Sequence, residues 1–242
     1  MLTRLLTAAL VLALAPMAHA ETKTGFVNKM FKNADGTESP YVVYVPPGYD
    51  ESKPLPAILF LHGSGETKGG STPPIDQGLM NGHFQKQAKK FPAIVVIPQS
   101  EKRTWSASSD DGKRAVAMLD ATIKEYKLDE KRIYLTGLSM GGYGTWSLAA
   151  AHPEKWAAIV PICGGGNVKD AEKIKDIPCW CIHGDQDGAV NVSKSREMIE
   201  ALKAAGGTPR YTELAWVGHN SWDAGYSIPE LYSWLFAQKK KK

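Results

Sequence analysis

Along the chain the spacing of apolar positions switches repeatedly between the period of a strand and that of a helix. Residues 24–32 and 39–46 hold β-branched and aromatic side chains on either side of Asn33-Ala34-Asp35-Gly36, the pattern of an opening hairpin. Unbroken apolar runs follow at 57–61, 93–97, 132–135, 157–160 and 177–182, with a last run at 210–216. Strands buried on both faces of a parallel sheet read this way, because neither face meets water. Between the runs, helical spacing appears at 82–91, 110–126, 140–151, 192–205 and 228–237. In the second of these, Val116, Leu119, Ile123 and Tyr126 share one stripe, and Asp110-Asp111 favour its start by complementing the helix dipole. In the fourth, Asn191 offers a cap and Gly206-Gly207 a stop. Eight strands, the first two a hairpin and the rest alternating with helices, predict an α/β fold. It is an eight-stranded, mostly parallel sheet with an N-terminal antiparallel hairpin and helices on both faces.

The 242 residues show no repeat and no composition break over 21–238, which predicts a single domain there. Residues 1–20 read as a signal peptide: Arg4, an apolar stretch of Leu and Ala, then Ala18-His19-Ala20 as a small-x-small cleavage site before Glu21. The apolar stretch is too short to span a bilayer, so no stable membrane anchor is expected, and the protein is expected to be secreted or periplasmic. The net charge of +4 comes from Arg4 and the terminal Lys239, Lys240, Lys241 and Lys242; setting those five aside leaves 24 basic residues against 25 acidic ones. A nearly neutral body gives no nucleic-acid footprint. The tail 239–242 reads as a solvated basic end, with a weak anionic-surface contact as the alternative. Cys163, Cys179 and Cys181 are too few for a disulfide scaffold. Cys179 and Cys181 share one strand face and cannot comfortably bridge each other. A bridge from Cys163 to either stays open beside three buried thiols.

The strongest chemical signal is Thr136-Gly137-Leu138-Ser139-Met140-Gly141-Gly142, a G-x-S-x-G sequence between a predicted strand and a predicted helix. A serine on a sharp strand-to-helix turn needs small neighbours, and the helix N-terminus beside it favours developing negative charge. A hydroxyl is a weak nucleophile until a base takes its proton and a third group orients that base. Of the histidines, His19 lies in the leader, His83 in a helical stretch, and His152 at the end of the helix behind the serine. His62 and His183 each precede glycine at the end of a buried run and read as hydrogen-bonders that fix loops. His219 follows the last strand in a loop that can reach Ser139, and it is the expected base. Two carboxylates compete for the acid: Asp185 next to Gly184 suits a bond within its own turn, whereas Asp187 has room to reach a histidine.

Taken with Leu61-His62-Gly63-Ser64-Gly65-Glu66, His183-Gly184-Asp185-Gln186-Asp187 and Gly218-His219, the serine motif resembles the α/β-hydrolase superfamily over 25–237. More closely it is similar to the dienelactone hydrolase-like and phospholipase/carboxylesterase branch, which includes sequences described as predicted peptidases. The order Ser139, Asp187, His219 is that of the superfamily. The resemblance implies the α/β-hydrolase fold, Asp187 as the acid, and the backbone N–H groups of Ser64 and Met140 as an oxyanion hole. It does not imply the dienelactone substrate, whose enzymes carry a cysteine where this chain has Ser139. The expected activity is hydrolysis of short-chain or compact aromatic acyl esters, with a serine peptidase or a carbohydrate acetyl or feruloyl esterase as alternatives. Trp105, Tyr143 and Trp222 either line a substrate pocket or pack in the core; Glu66 either meets substrate or braces its loop. No Walker loop, G-x-G-x-x-G or H-E-x-x-H occurs, so no cofactor and no metal site are expected. The expected partner is a small-molecule or polysaccharide-linked ester.

Overall fold

The structure, a computed structural model, describes residues 23–70, 74–80, 84 and 88–240. The expected leader 1–20, His83, and Lys241 and Lys242 lie outside the described residues. One eight-stranded sheet organises the chain. Its strands are β1 (Gly25–Lys32), β2 (Glu38–Val45), β3 (Ala57–Leu61), β4 (Ile94–Pro98), β5 (Ile133–Leu138), β6 (Ala158–Ile162), β7 (Trp180–Gly184) and β8 (Arg210–Leu214). They lie in the order β1-β2-β4-β3-β5-β6-β7-β8. β1 pairs antiparallel with β2 and β2 with β4; every other pairing is parallel.

Among the described residues the α-helices with defined bounds are α1 (Asp110–Glu125), α2 (Met140–Ala151), α3 (Ala171–Ile174), α4 (Ser193–Ala204), α5 (Ser221–Gly225) and α6 (Pro229–Ala237). Alternate residues of the apolar runs enter opposite cores. Leu59, Leu61, Val96 and Leu135 pack with α1, α2 and α4, while Ile58, Phe60, Val95 and Tyr134 pack with Leu231 and Leu235 of α6. Both faces are covered, as the continuous apolar runs require.

The helix ends show where side-chain chemistry overrides period. Ser109 caps α1 by accepting the Gly112 N–H at 3.1 Å. Asn191 accepts the Ser193 N–H, but α4 begins two residues after it. Of the helix expected at 82–91, half falls outside the described residues, and 88–90 form a 3₁₀ turn. The short helices α3 and α5 carry too few residues for a period to register in the sequence. Lys240, in the expected basic tail, donates its backbone N–H to the Lys131 carbonyl at 2.9 Å.

All three cysteines are free and buried. Cys163 belongs to one core, while Cys179 and Cys181 belong to the other, so the sheet separates the thiols that the sequence left open to pairing.

The chain leaves β3 for β4 on one side and then crosses back to β5 on the other. The reversal opens a crevice at the carboxyl ends of β3 and β5, the place where open α/β sheets bind ligands. His62 follows β3 at that crevice and is fully buried. Its Nε2 accepts the Ser100 N–H at 3.0 Å, so Nδ1 carries the proton and donates to the Gly63 carbonyl at 2.6 Å. The ring therefore ties the loop after β3 to the loop after β4 in its neutral form. Burial pushes its pKa down to about 4, against weaker opposing effects of the Gly63 bond and the Asp111 charge.

A stability prediction follows from that shift. As pH falls below about 6.5 the unfolded chain protonates this imidazole, while the folded protein resists until about 4. Stability is lost across that window, on the order of 3 kcal/mol for the full shift. Glu66, whose carboxyl burial raises, acts in the opposite sense at the acid end. In urea titrations from pH 7 to 4.5 the wild-type midpoint should fall more steeply than that of His62→Gln. Parallel pH profiles would remove His62 from the account.

Candidate active site

The serine turn is built by close approach. A Cβ on Gly141 would stand 1.9 Å from the Leu61 carbonyl oxygen, and one on Gly137 would stand 2.4 Å from the Gly141 carbonyl oxygen. Only glycine lets the turn lie this close to the end of β3. Ser139 itself adopts φ 52° and ψ −115°, a strained conformation for a residue with a side chain. Such strain costs about 1–3 kcal/mol and persists only where the surroundings impose it. Here the Ser139 N–H donates to the Ile162 carbonyl at 3.0 Å and faces Cys163 Sγ at 3.3 Å, while its carbonyl accepts the Tyr143 N–H and starts α2. The side chain is thereby left free of the helix ladder.

Three of the side chains singled out in the sequence meet in a line. His219 Nδ1 lies 2.7 Å from Asp187 Oδ2, and His219 Nε2 lies 2.9 Å from Ser139 Oγ. A carboxylate accepts, so Nδ1 carries the proton and Nε2 presents its lone pair to the hydroxyl. The Asp187 side chain is fully shielded from solvent. Its Oδ1 accepts the N–H groups of Ala189 and Val190, each at 2.8 Å. Burial alone would raise its pKa; the His219 bond, then those of Val190 and Ala189, outweigh it and hold the carboxyl below its ordinary value.

A second histidine touches the same carboxylate. His183 Nε2 lies 3.1 Å from Asp187 Oδ2 and 2.9 Å from the Val190 carbonyl, two acceptors, so that nitrogen bears a proton. Its Nδ1 meets Ser195 Oγ at 2.7 Å on α4. The sequence marks His183 as a loop-fixing residue, but nothing in its spacing showed that the loop it fixes is the one carrying Asp187. Asp185 departs from the bond expected within its own turn: its Oδ1 accepts the N–H of Trp216, 31 positions away, at 2.7 Å.

Met140 opens α2, where a first-turn N–H has no intrahelical acceptor. Ser64 opens a short 3₁₀ turn, Ser64–Glu66, directly after Gly63. A cavity of about 630 Å³ opens beside Ser139, with Met140, Tyr143 and Trp146 of α2 on one wall and Trp105, Asn167 and Met198 on others. Arg103 and Asp170 add charge at its edge.

The four residues left between pocket and packing divide. Tyr143 lines the cavity and is partly exposed. Trp105 lines it from a fully packed position, with its indole N–H donated to the His62 carbonyl at 2.9 Å. Trp222 stands outside the cavity and packs edge-on against the His219 ring at 5.3 Å between centroids. Glu66 is also outside it, buried, with Oε2 3.9 Å from His62 Nδ1. Asn167, Asp170 and Met198 were not marked in the sequence; they come from segments far from any motif, and no local signal identifies them.

Among the described residues one cluster could offer metal ligands: Cys163, Asp187 and His219, whose atoms lie within 4.8 Å of one another. Its donors are committed elsewhere. Asp187 and His219 bond each other, and burial pushes the Cys163 thiol up to about 12, away from the ligating thiolate.

The BD-FAE family model matches residues 42–157. A bifunctional acetylxylan esterase/xylanase of Neocallimastix patriciarum is 32% identical over 165 residues, which cover 66% of this chain and 23% of that protein. A "probable feruloyl esterase C" of Aspergillus terreus is 26% identical over 94% of this chain and 83% of its own length. Among solved structures, a thermostable esterase superposes with a TM-score of 0.78 at 34% identity, covering 88% of this chain and 63% of that one. The chain thus spans about a quarter of the first relative and under two thirds of the thermostable esterase. With the sheet order, the strained serine turn and these likenesses in hand, the chain is a member of the α/β-hydrolase superfamily.

Proposed function

We propose that the protein is a serine carboxylic-ester hydrolase acting on short or compact aromatic acyl groups, such as acetyl or feruloyl, esterified to carbohydrate. The observation that carries the proposal is the hydrogen-bonded line from Asp187 through His219 to Ser139 on a strained turn. Ser139 Oγ attacks the acyl carbon as His219 Nε2 takes its proton, and Asp187 stabilises the imidazolium. The N–H groups of Met140 and Ser64 meet the oxyanion, a contribution of ~3 kcal/mol per donor. His219 then returns the proton to the departing alcohol oxygen, and water repeats the sequence on the acyl-enzyme. The names of the relatives, an acetylxylan esterase and a feruloyl esterase, support carbohydrate esters as the substrate class.

The acyl group fits the cavity beside Ser139. Its walls mix Trp105, Tyr143 and Met198 with Asn167 and Arg103, and the buried Trp146 Nε1 has no partner among the described residues. A buried donor gains by meeting an acceptor, which the methoxy and hydroxyl oxygens of a feruloyl group supply and a long alkyl chain does not. A peptidase would use the same three residues, but an amide nitrogen must be protonated as it leaves. That reaction asks for more orientation than an ester requires.

Three outcomes test the proposal. A fluorophosphonate should label the protein once, at Ser139, and Ser139→Ala should abolish labelling and hydrolysis together. Asp187→Asn should lower kcat by about 10⁴-fold, the scale of losing the correct histidine tautomer. Asp185→Asn should lower kcat on p-nitrophenyl acetate by under tenfold, and the reverse ranking would reassign the acid. Across a substrate panel, kcat/KM should fall from acetyl and feruloyl esters to palmitoyl esters, with little turnover of peptide amides. A preference for palmitoyl would refute the cavity assignment, and efficient cleavage of unactivated peptides would favour the peptidase.

A further inference from the structure

Trp216 is 87% exposed, far more than any other large apolar side chain described. An indole in water has a large apolar face to gain from contact, and none of the described rings or cations packs on it. Yet its backbone is held firmly. It adopts φ 62°, a left-handed conformation that bulky residues rarely take, and its N–H donates to Asp185 Oδ1 at 2.7 Å. On either side the Asp185 N–H donates to the Leu214 carbonyl at 3.1 Å and the Gln186 N–H to the Val217 carbonyl at 3.0 Å. The ring is carried on a backbone laced to the loop that bears Asp187.

Its position relative to the reaction follows from the chain. Trp216 precedes His219 by three residues, so their Cα atoms lie within about 11 Å of each other. His219 must protonate the departing alcohol oxygen, so the alcohol half of the ester lies on the His219 side of Ser139. The cavity is lined by α2, by Met198 and by residues 103–106, 165–167 and 170, leaving the acyl half on the other side. Trp216, on the loop that carries His219, is therefore within reach of the alcohol half.

We propose that the Trp216 indole is a stacking platform for a pyranose ring of the saccharide carrying the ester, an inference that rests on the ester-hydrolase reading above. A single flat, exposed ring suits the C–H face of a sugar, whose hydroxyls stay in water. A long alkyl alcohol would call for an apolar groove, and one indole does not make one. Held by Asp185, the backbone that carries the indole is preorganised, so only the side-chain torsions are left to order when the sugar seats.

The test uses the full chain with Trp216→Ala and Trp216→Phe. On an acetylated or feruloylated xylo-oligosaccharide, Trp216→Ala should raise KM about tenfold with kcat little changed, the scale of one aromatic contact. Trp216→Phe should recover most of the loss, and both variants should stay within about twofold of wild type on p-nitrophenyl acetate. Binding is read independently of hydrolysis. Xylohexaose without any ester should quench the fluorescence of Ser139→Ala, and adding Trp216→Ala should remove that quenching. Equal losses on the sugar ester and on p-nitrophenyl acetate would mean a structural role, and unchanged KM on the sugar ester would refute the platform. A dimer in sedimentation that Trp216→Ala dissolves would also overturn it, since a second copy would then cover the indole. Trp216-dependent quenching in a protein that hydrolyses no ester would sink the hydrolase reading and leave the platform standing.

Discussion

The site depends on one steric constraint: nothing larger than hydrogen fits between the serine turn and the end of β3. With the Gly141 Cβ position 1.9 Å from the Leu61 carbonyl oxygen, the turn and the strand end touch through backbone alone. The parallel register Leu61↔Gly137 fixes how far each strand extends, and Ile162 at the end of β6 holds the Ser139 N–H from the other side. Held between two neighbours, Ser139 has no relaxed alternative, and the strain at φ 52° becomes tolerable because relieving it would break both contacts. The same contact sets the start of α2 beside the loop of His62, Gly63 and Ser64. Two backbone N–H groups far apart in sequence are thereby brought to one crevice.

A second pair of loops is assembled by extending a ladder. The last registered pair of β7 and β8 is Gly184↔Leu214, and pairing continues past it through Asp185 to Leu214 and Gln186 to Val217. Asp187 and His219, 32 positions apart, emerge from adjacent strand ends already joined by backbone bonds. The acid and the base therefore need little further ordering to meet. The buried histidines repeat the device at smaller scale: His62 ties the loop after β3 to Ser100, and His183 ties the Asp187 loop to Ser195 of α4.

Most of this was legible where the physics is local. Continuous apolar runs gave the buried strands, because a strand with two dry faces has no polar positions to spare, and G-x-S-x-G between strand and helix located Ser139. Order along the chain and loop position singled out His219 and Asp187 without their distances. What stayed hidden arises from contacts between distant segments. The cavity wall joins Trp105, Tyr143 and Asn167, which no spacing relates. The separation of Cys163 from Cys179 and Cys181 depends on which core each strand position enters, and a single sequence does not reveal it. Asp185 looked like a turn residue because its nearest glycine is adjacent, whereas its bond runs to Trp216 in another loop.

The two histidines on Asp187 bear on how the proton moves. Oδ2 accepts from His219 and His183, and Oδ1 accepts from Ala189 and Val190, so the carboxylate has donors on every side. A protonated carboxyl there would set its own O–H against one of those donors, in a pocket closed to water. This is the physical content of its lowered pKa, in which hydrogen bonding overcomes the burial that would otherwise favour the neutral acid. In the proposed mechanism, when His219 takes the Ser139 proton the new charge stays on the imidazole, because the bonds donated to Asp187 by His183, Ala189 and Val190 favour its anionic form. In that mechanism the acid works as a fixed anion that orients His219 and stabilises its cationic form. His183, fully buried and bonded to Asp187 Oδ2, would serve that mechanism by keeping the anion in place.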